Sequence, residues 1–189
     1  PKGWFKKMMQ IMESDEKIGG IWGVAVPADQ FHYQYVKKMA QINKTNLLEF
    51  LRRNGERRGM LHDTLIRLKP VKGIKIPRFL HVMEDHYIRI WIESKGFKWI
   101  ATSKAYCLHI LGIRNKLRDS FMDAYYGWLL GVYPPSWFLK HYFFWFLKLL
   151  YLRIRTKSPT ILRMEFQKEL GFLLAFIKIL KNEKTNLKI

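Results

Sequence analysis

Tyr87-Ile88-Arg89-Ile90-Trp91-Ile92-Glu93 is the most regular stretch of the chain, and its reading decides the fold. Ile88, Ile90 and Ile92 alternate with Arg89, Trp91 and Glu93, which is the two-residue period of a half-buried strand. Ser94-Lys95-Gly96 reads as the turn that follows. Thr102 or Ser103 then caps an expected helix that runs through Leu111 and closes on Gly112. Ser120 with Asp123 opens a second helix, Phe121 to Val132, which Pro134-Pro135 must stop. Strand, helix and helix in that order predict a small α+β unit.

On the N-terminal side, residues 4–12 are basic and weakly amphipathic. Glu13, Asp15 and Glu16 argue against a cleavable organellar presequence, which is poor in acids. Gly19-Gly20 and Gly23 mark a loop, and Pro27 followed by Asp29 marks a helix start. Two helices are predicted over 28–41 and 46–53, with Asn46 and Glu49 in capping-box spacing and Gly55 as the stop. Arg52-Arg53-Asn54-Gly55-Glu56-Arg57-Arg58-Gly59 reads as a basic loop, either a solvated turn or a contact to several phosphates. Over 60–80, Lys69, Lys72, Lys75 and Arg78 are interleaved with Pro70, Gly73 and Pro77. That density of proline and glycine denies a long helix. The expectation is an extended basic strap with one short strand, or a plain inter-domain linker.

On the C-terminal side, Ser136 caps an expected helix over 137–152 that is almost entirely apolar. Lys140, His141, Lys148 and Arg155 share an arc of about 100°, which leaves a very wide apolar face. At 1.5 Å per residue this helix spans about 24 Å, short of the ~30 Å hydrocarbon core, so burial against protein is expected. Ser158-Pro159 starts a last helix that reaches about Lys181, and the tail from Asn182 reads as frayed.

The whole chain has 189 residues, with 34 Lys+Arg against 15 Asp+Glu and a net charge of +19. Hydrophobic residues make up 49% and aromatic residues 15%, which excludes a disordered basic tail. The charge excess is spread evenly, +5 over residues 1–60, +7 over 61–120 and +7 over 121–189. Self-repulsion of this size predicts a polyanion or acidic surface nearby, and its even spread suggests a chain embedded in a large anionic assembly. The single cysteine, Cys107, excludes an internal disulfide and a multi-cysteine zinc module.

Catalytic constellations are not found. His81-Val82-Met83-Glu84-Asp85-His86 is a dense group of ligand types, but two histidines five apart do not share a helix face. His62-Asp63 forms at most a local pair, with no recognisable nucleophile near it in sequence. Cys107 sits on the expected helix as a small buried hydrophobe. Gly19-Gly20-Ile21-Trp22-Gly23 lacks the spacing of a phosphate-binding loop. No enzyme, metal or cofactor is expected. What remains is RNA-binding physics, in which cations neutralise phosphates while aromatic rings and arginines stack on unpaired bases. Trp91 and Trp99 flank the Ser94–Lys98 loop beside Lys95, Lys98 and Lys104.

Ile88-Arg89-Ile90-Trp91-Ile92-Glu93-Ser94, a basic loop, then Leu108-His109-Ile110-Leu111-Gly112-Ile113-Arg114 resembles the large-subunit ribosomal proteins of the L-thirty family, particularly the mitochondrial members. Gly127-Trp128-Leu129-Leu130-Gly131-Val132 is similar to that family's second helix. The resemblance covers about residues 86–133 and implies a ferredoxin-like core, α+β in class, with mostly helical extensions. The expected division is 1–80, 81–135 and 136–189. The implied function is a structural constituent of the mitochondrial large ribosomal subunit, in the matrix, with rRNA and neighbouring ribosomal proteins as partners. Carry-over and charge together place Arg89, Lys95, Lys98, Lys104, Arg114 and Lys116 near RNA. Physical grounds alone add Arg52, Arg53, Arg57 and Arg58, and the strap adds Lys69, Lys72, Lys75 and Arg78. The rival reading is an accessory subunit of a mitochondrial inner-membrane complex, of the respiratory chain or ATP synthase, with 137–152 at the membrane.

Overall fold

The computed structural model describes residues 2–80, 82–110 and 116–181, the side chains of Arg57 and Arg58 excepted. Two compact units divide the chain, Pro1–Gly112 and Ile113–Ile189. In chain order the first holds α1 (Trp4–Ser14), β1 (Ile18–Pro27), α2 (Gln30–Ile42), α3 (Leu47–Arg58), β2 (Thr64–Ile66), α4 (Leu68–Val71), α5 (Glu84–Ser94) and β3 (Lys98–His109). The second holds α6 (Lys116–Leu129), α7 (Pro135–Thr156) and α8 (Pro159–Lys181). The chain is thus α+β, with eight helices and a three-stranded mixed sheet among the described residues. The expected boundary between 80 and 81 falls inside the first unit, because β1 pairs with β3 across it. The boundary between 135 and 136 falls inside the second, where α6 packs on α8.

The sheet runs β2-β1-β3, with β1 antiparallel to β2 and parallel to β3. As the central strand, β1 is buried along almost its whole length. One face carries Trp22, Val24, Val26 and Trp99 against Leu47, Leu48 and Leu51 of α3 and Ile88 and Ile92 of α5. The other carries Ile18, Ile21 and Ala105 against Met8 and Met12 of α1. Gly19, Gly20 and Gly23, expected in a loop, lie within β1 instead. The reason is space. A Cβ on Gly20 would lie 2.3 Å from the Trp99 ring, and one on Gly19 would lie 2.6 Å from Ile92. These glycines let bulky neighbours close over the central strand.

Two further expectations are reversed. The stretch Tyr87–Glu93 is helix, within α5, and not strand. Ile88 and Ile92 are four apart and share the core-facing side, whereas Ile90, the middle isoleucine, is 39% exposed. Glu84 and Asp85 in the first turn favour the helix dipole, and Arg89 pairs with Glu93 one turn on at 3.0 Å. Conversely, the expected helix over 102–111 is strand β3 as far as His109, paired with β1 from Ile18↔Lys98 to Pro27↔His109. From Lys104 to Leu108 exposed residues alternate with more buried ones, the signature of a strand. Leu111 and Gly112, the expected helix end, lie outside the described residues, as does the tail from Asn182.

Local capping reads through more faithfully. Asp29 accepts the His32 N–H at 2.9 Å to start α2, and Asn46 accepts the Glu49 N–H at 2.8 Å to start α3. Gly55 does not end α3, which continues to Arg58 and stops at Gly59, with φ at +73°. The basic stretch Arg52–Arg58 is therefore helical, not a loop. Gly55 is needed for packing, since a Cβ there would lie 1.9 Å from the Trp22 ring.

In the second unit, Ala124, Phe138, Phe172, Ala175 and Ile179 form the core. α7 begins at Pro135 without a serine cap and is longer than expected, 22 residues or about 33 Å. Its contact with α8 contains charge. Lys148 Nζ lies 2.9 Å from Glu165 and 2.7 Å from Glu169, and His141 Nε2 bonds the other Glu169 oxygen. Both carboxylates are buried, at 1% and 0% exposure. Burial opposes the charge on Lys148, but the two glutamates outweigh it and raise its pKa. Burial likewise opposes the Glu169 carboxylate, and His141 with Lys148 reverse the direction, holding it below the usual range.

Candidate polyanion interface

The strap expected over 60–80 contains β2 and the single turn α4, then runs irregularly to Leu80. Pro70 and Leu80 are buried and fix its two ends. α5 holds it from behind. The Trp91 Nε1–H donates to the Pro70 carbonyl at 2.9 Å, and the Tyr87 hydroxyl donates to the Lys75 carbonyl at 3.2 Å. Tyr87 and Trp91 are four apart and therefore share one side of the helix. Lys95, a further turn along, places its ammonium 4.8 Å from the centre of the Trp91 ring. At the strap's root, the Arg67 guanidinium donates to the Ile18 carbonyl at 2.9 Å and also to the Met12 carbonyl.

With its backbone held in this way, the strap leaves its cations in solvent. Lys69, Lys72, Lys75 and Arg78 are all exposed, and none forms an ion pair among the described residues. Phe79, 38% exposed beside Arg78, adds an aromatic ring. With Lys95 these make five cations and an aromatic ring gathered along one helix and one strap.

The other expected contacts are placed differently. Arg52 bonds Glu49 through two nitrogens and Glu56 through a third, each at 2.8 Å. Arg53 also reaches Glu49, at 2.8 Å. Arg52 first, then Arg53, pull the Glu49 carboxyl down to about 2. Arg89 bonds Glu93 and the Glu56 carbonyl, tying α5 to the end of α3. Lys98 pairs with Asp15 at 2.8 Å and holds that carboxyl below its usual range. Lys104 is exposed on the edge strand β3. Lys116 belongs to the second unit, where burial and then Lys168 lower its pKa. Arg57 and Arg58 end α3 with side chains outside the description, and Arg114 lies outside the described residues.

A second group of polar side chains gathers where β3 ends. His62, Asp63 and His109 present ligand atoms within 4.8 Å of one another. The imidazoles of His62 and His109 stack with centres 4.6 Å apart, and the Trp22 ring meets His62 edge-on at 6.1 Å. Cys107 is in β3 and not on a helix. Burial first, and a hydrogen bond to Asp63 second, push its thiol up to about 12. In the other expected ligand group, His81 lies outside the described residues and His86 is buried in the first turn of α5.

Sequence reasoning missed Tyr87 and Trp91 as backbone anchors, because a strand spreads these residues about 13 Å apart along its face, whereas the helix stacks them one turn apart. It also missed the cluster at His109. A strand reading of 107–109 would have put Cys107 and His109 on one side, but nothing local links them to His62 and Asp63. Comparison with known proteins returned no similar family model, curated protein or solved structure.

Proposed function

We propose that the chain is a structural RNA-binding protein of a large ribonucleoprotein, and that the Leu68–Leu80 strap lies along the RNA phosphate backbone. The observation that carries this reading is the strap itself. Its backbone is bonded to α5, and Lys69, Lys72, Lys75, Arg78 and Lys95 are left without carboxylate partners among the described residues. Cations in this state release counterions when they meet phosphates, the main source of affinity for nucleic acids. The net charge of +19 supports the same partner.

The specific assembly implied by the sequence resemblance is the mitochondrial large ribosomal subunit, in the matrix, with rRNA and neighbouring ribosomal proteins as partners. The proposal does not draw on a ferredoxin-like L-thirty core. The stretch that resembles the family's strand folds here as part of α5, and of the stretch that resembles the end of its helix, Leu108 and His109 end β3 while 111–114 lie outside the described residues. Detergent lysate of mitochondria, run on a density gradient with and without RNase, tests the reading. Co-sedimentation with the large ribosomal subunit, lost on RNase treatment, is expected. Migration with a respiratory or ATP-synthase complex, indifferent to RNase, would overturn it.

That second outcome belongs to the membrane-complex alternative, which one feature favours. Leu139, Phe143, Phe146, Leu150 and Ile154 recur every three or four residues on α7, and each is at least 49% exposed. Such a stripe fits a lipid headgroup boundary or another protein. No helix among the described residues is long and apolar enough to cross a membrane, so a membrane contact here lies in the interface plane.

A further inference from the structure

We propose that His62, Asp63 and His109 form a three-donor site for a divalent cation of the zinc type. This is independent of the RNA reading, which uses none of the three residues. The topology makes the site. His109 is the last residue of β3. His62 and Asp63 come from the segment just before β2, on the other side of β1 in the sheet. Two backbone bonds hold these pieces to the central strand and its continuation. The Gly23 N–H donates to the Asp63 carbonyl at 2.9 Å, and the Ala28 N–H donates to the His109 carbonyl at 2.9 Å.

The donor chemistry is specific. Two imidazole nitrogens and a carboxylate oxygen are ligand types zinc takes, with bonds of about 2.0–2.2 Å and water in the fourth tetrahedral position. Such bonds place neighbouring donors roughly 3.3–3.6 Å apart. The ligand atoms of His62, Asp63 and His109 already lie within 4.8 Å. Side-chain rotation of about 1 Å closes the remainder, turning the imidazole edges inward from their present stack. The cation would then clamp the flanking strands β2 and β3 over the far end of β1.

The test is a titration of the full chain, untagged and stripped with chelator, with Co²⁺ and then Zn²⁺ as competitor. Expected are one equivalent bound and visible cobalt bands of tetrahedral intensity, both displaced by Zn²⁺. His109→Ala should weaken binding at least tenfold. His62→Gln, a change at a residue partly open to solvent, repeats the affinity test should His109→Ala fail to fold. Absence of saturable binding, or affinity unchanged in His62→Gln or His109→Ala, would each overturn the three-donor site. Thermal unfolding adds a readout independent of spectroscopy. Zinc should raise the midpoint of the parent chain and leave that of His62→Gln unchanged.

Discussion

The strap of the first unit and the α7–α8 contact of the second treat charge in opposite ways. In the second unit two glutamates are taken almost wholly out of water and are tolerated because Lys148 and His141 reach them. In the strap, four cations at three-residue intervals are kept in water with no carboxylate partner among the described residues. α3 lies between these extremes, since Arg52 and Arg53 stay near the surface but are matched by Glu49 and Glu56. A charge that the fold neutralises internally serves the fold. A charge that it leaves unmatched, on a backbone held from behind, is available to a partner.

The largest effect should come from breaking the internal match. Lys148→Met leaves Glu165 and Glu169 buried without their ammonium. Removing one member of a buried ion pair costs about 3–5 kcal/mol, and the 35% exposure of the Lys148 side chain puts this case near about 3 kcal/mol. Hydrogen exchange of α7 and α8 amides should quicken by roughly a hundredfold, with α2 and α3 unaffected. Replacing Glu165 and Glu169 by Gln in the same chain should recover most of the loss. Unchanged exchange in Lys148→Met would mean that the network is solvated and that the contrast with the strap is one of degree.

Next in size is the strap. Changing Lys69, Lys72, Lys75 and Arg78 to Ala together removes four phosphate contacts on the proposed reading. At about 0.7 counterions per contact to single-stranded RNA, the slope of log affinity against log salt should fall by about 3. Affinity near 0.15 M salt should drop by roughly a hundred- to a thousandfold. The thermal midpoint should hold or rise, since the four cations make no internal pair. Arg52→Ala with Arg53→Ala is the matched control, expected to lower stability and to change RNA affinity by less than about threefold. Equal RNA losses in the two variants would remove the distinction between matched and unmatched cations.

How much of this was legible in the sequence depends on how far each signal reaches along the chain. Helix starts written in a few adjacent residues carried through, as Asp29, Asn46 and Ser158-Pro159 show. The glycines of β1 did not, because their reason is the Trp99 ring, which arrives only when β3 pairs beside them. α5 and β3 were exchanged for a related cause. Ile88, Ile90 and Ile92 satisfy a two-residue period, yet the pair Ile88 and Ile92 also satisfies a helix, and only the core decides. The cations of the strap were legible from composition, since proline and glycine deny a long helix there whatever the rest of the chain does. Which arginines remain unmatched was not, because the matching depends on α3 being helical through Gly55 and bringing Glu49, Arg52, Arg53 and Glu56 into register.

The smallest effect tests that last point. The Glu49 carboxyl sits at about 2 in the folded chain, below its ordinary value of 4.5, because Arg52 and Arg53 bond it. A carboxyl depressed by folding adds stability above its unfolded pKa and loses that contribution as pH falls through the folded value. Glu49 should therefore support the fold fully above about pH 5 and progressively less down to about pH 2. Glu49→Gln has no proton to bind, so the urea midpoint of the variant should fall less between pH 5 and 3 than that of the parent. Asp15 and Asp29, also depressed, keep their own pH dependence in both chains, so the difference between the two curves isolates Glu49. Superimposable curves would mean that Arg52 and Arg53 are free in solution. The unmatched positive surface would then extend from the strap onto α3, and the strap would no longer be the distinctive part of the interface.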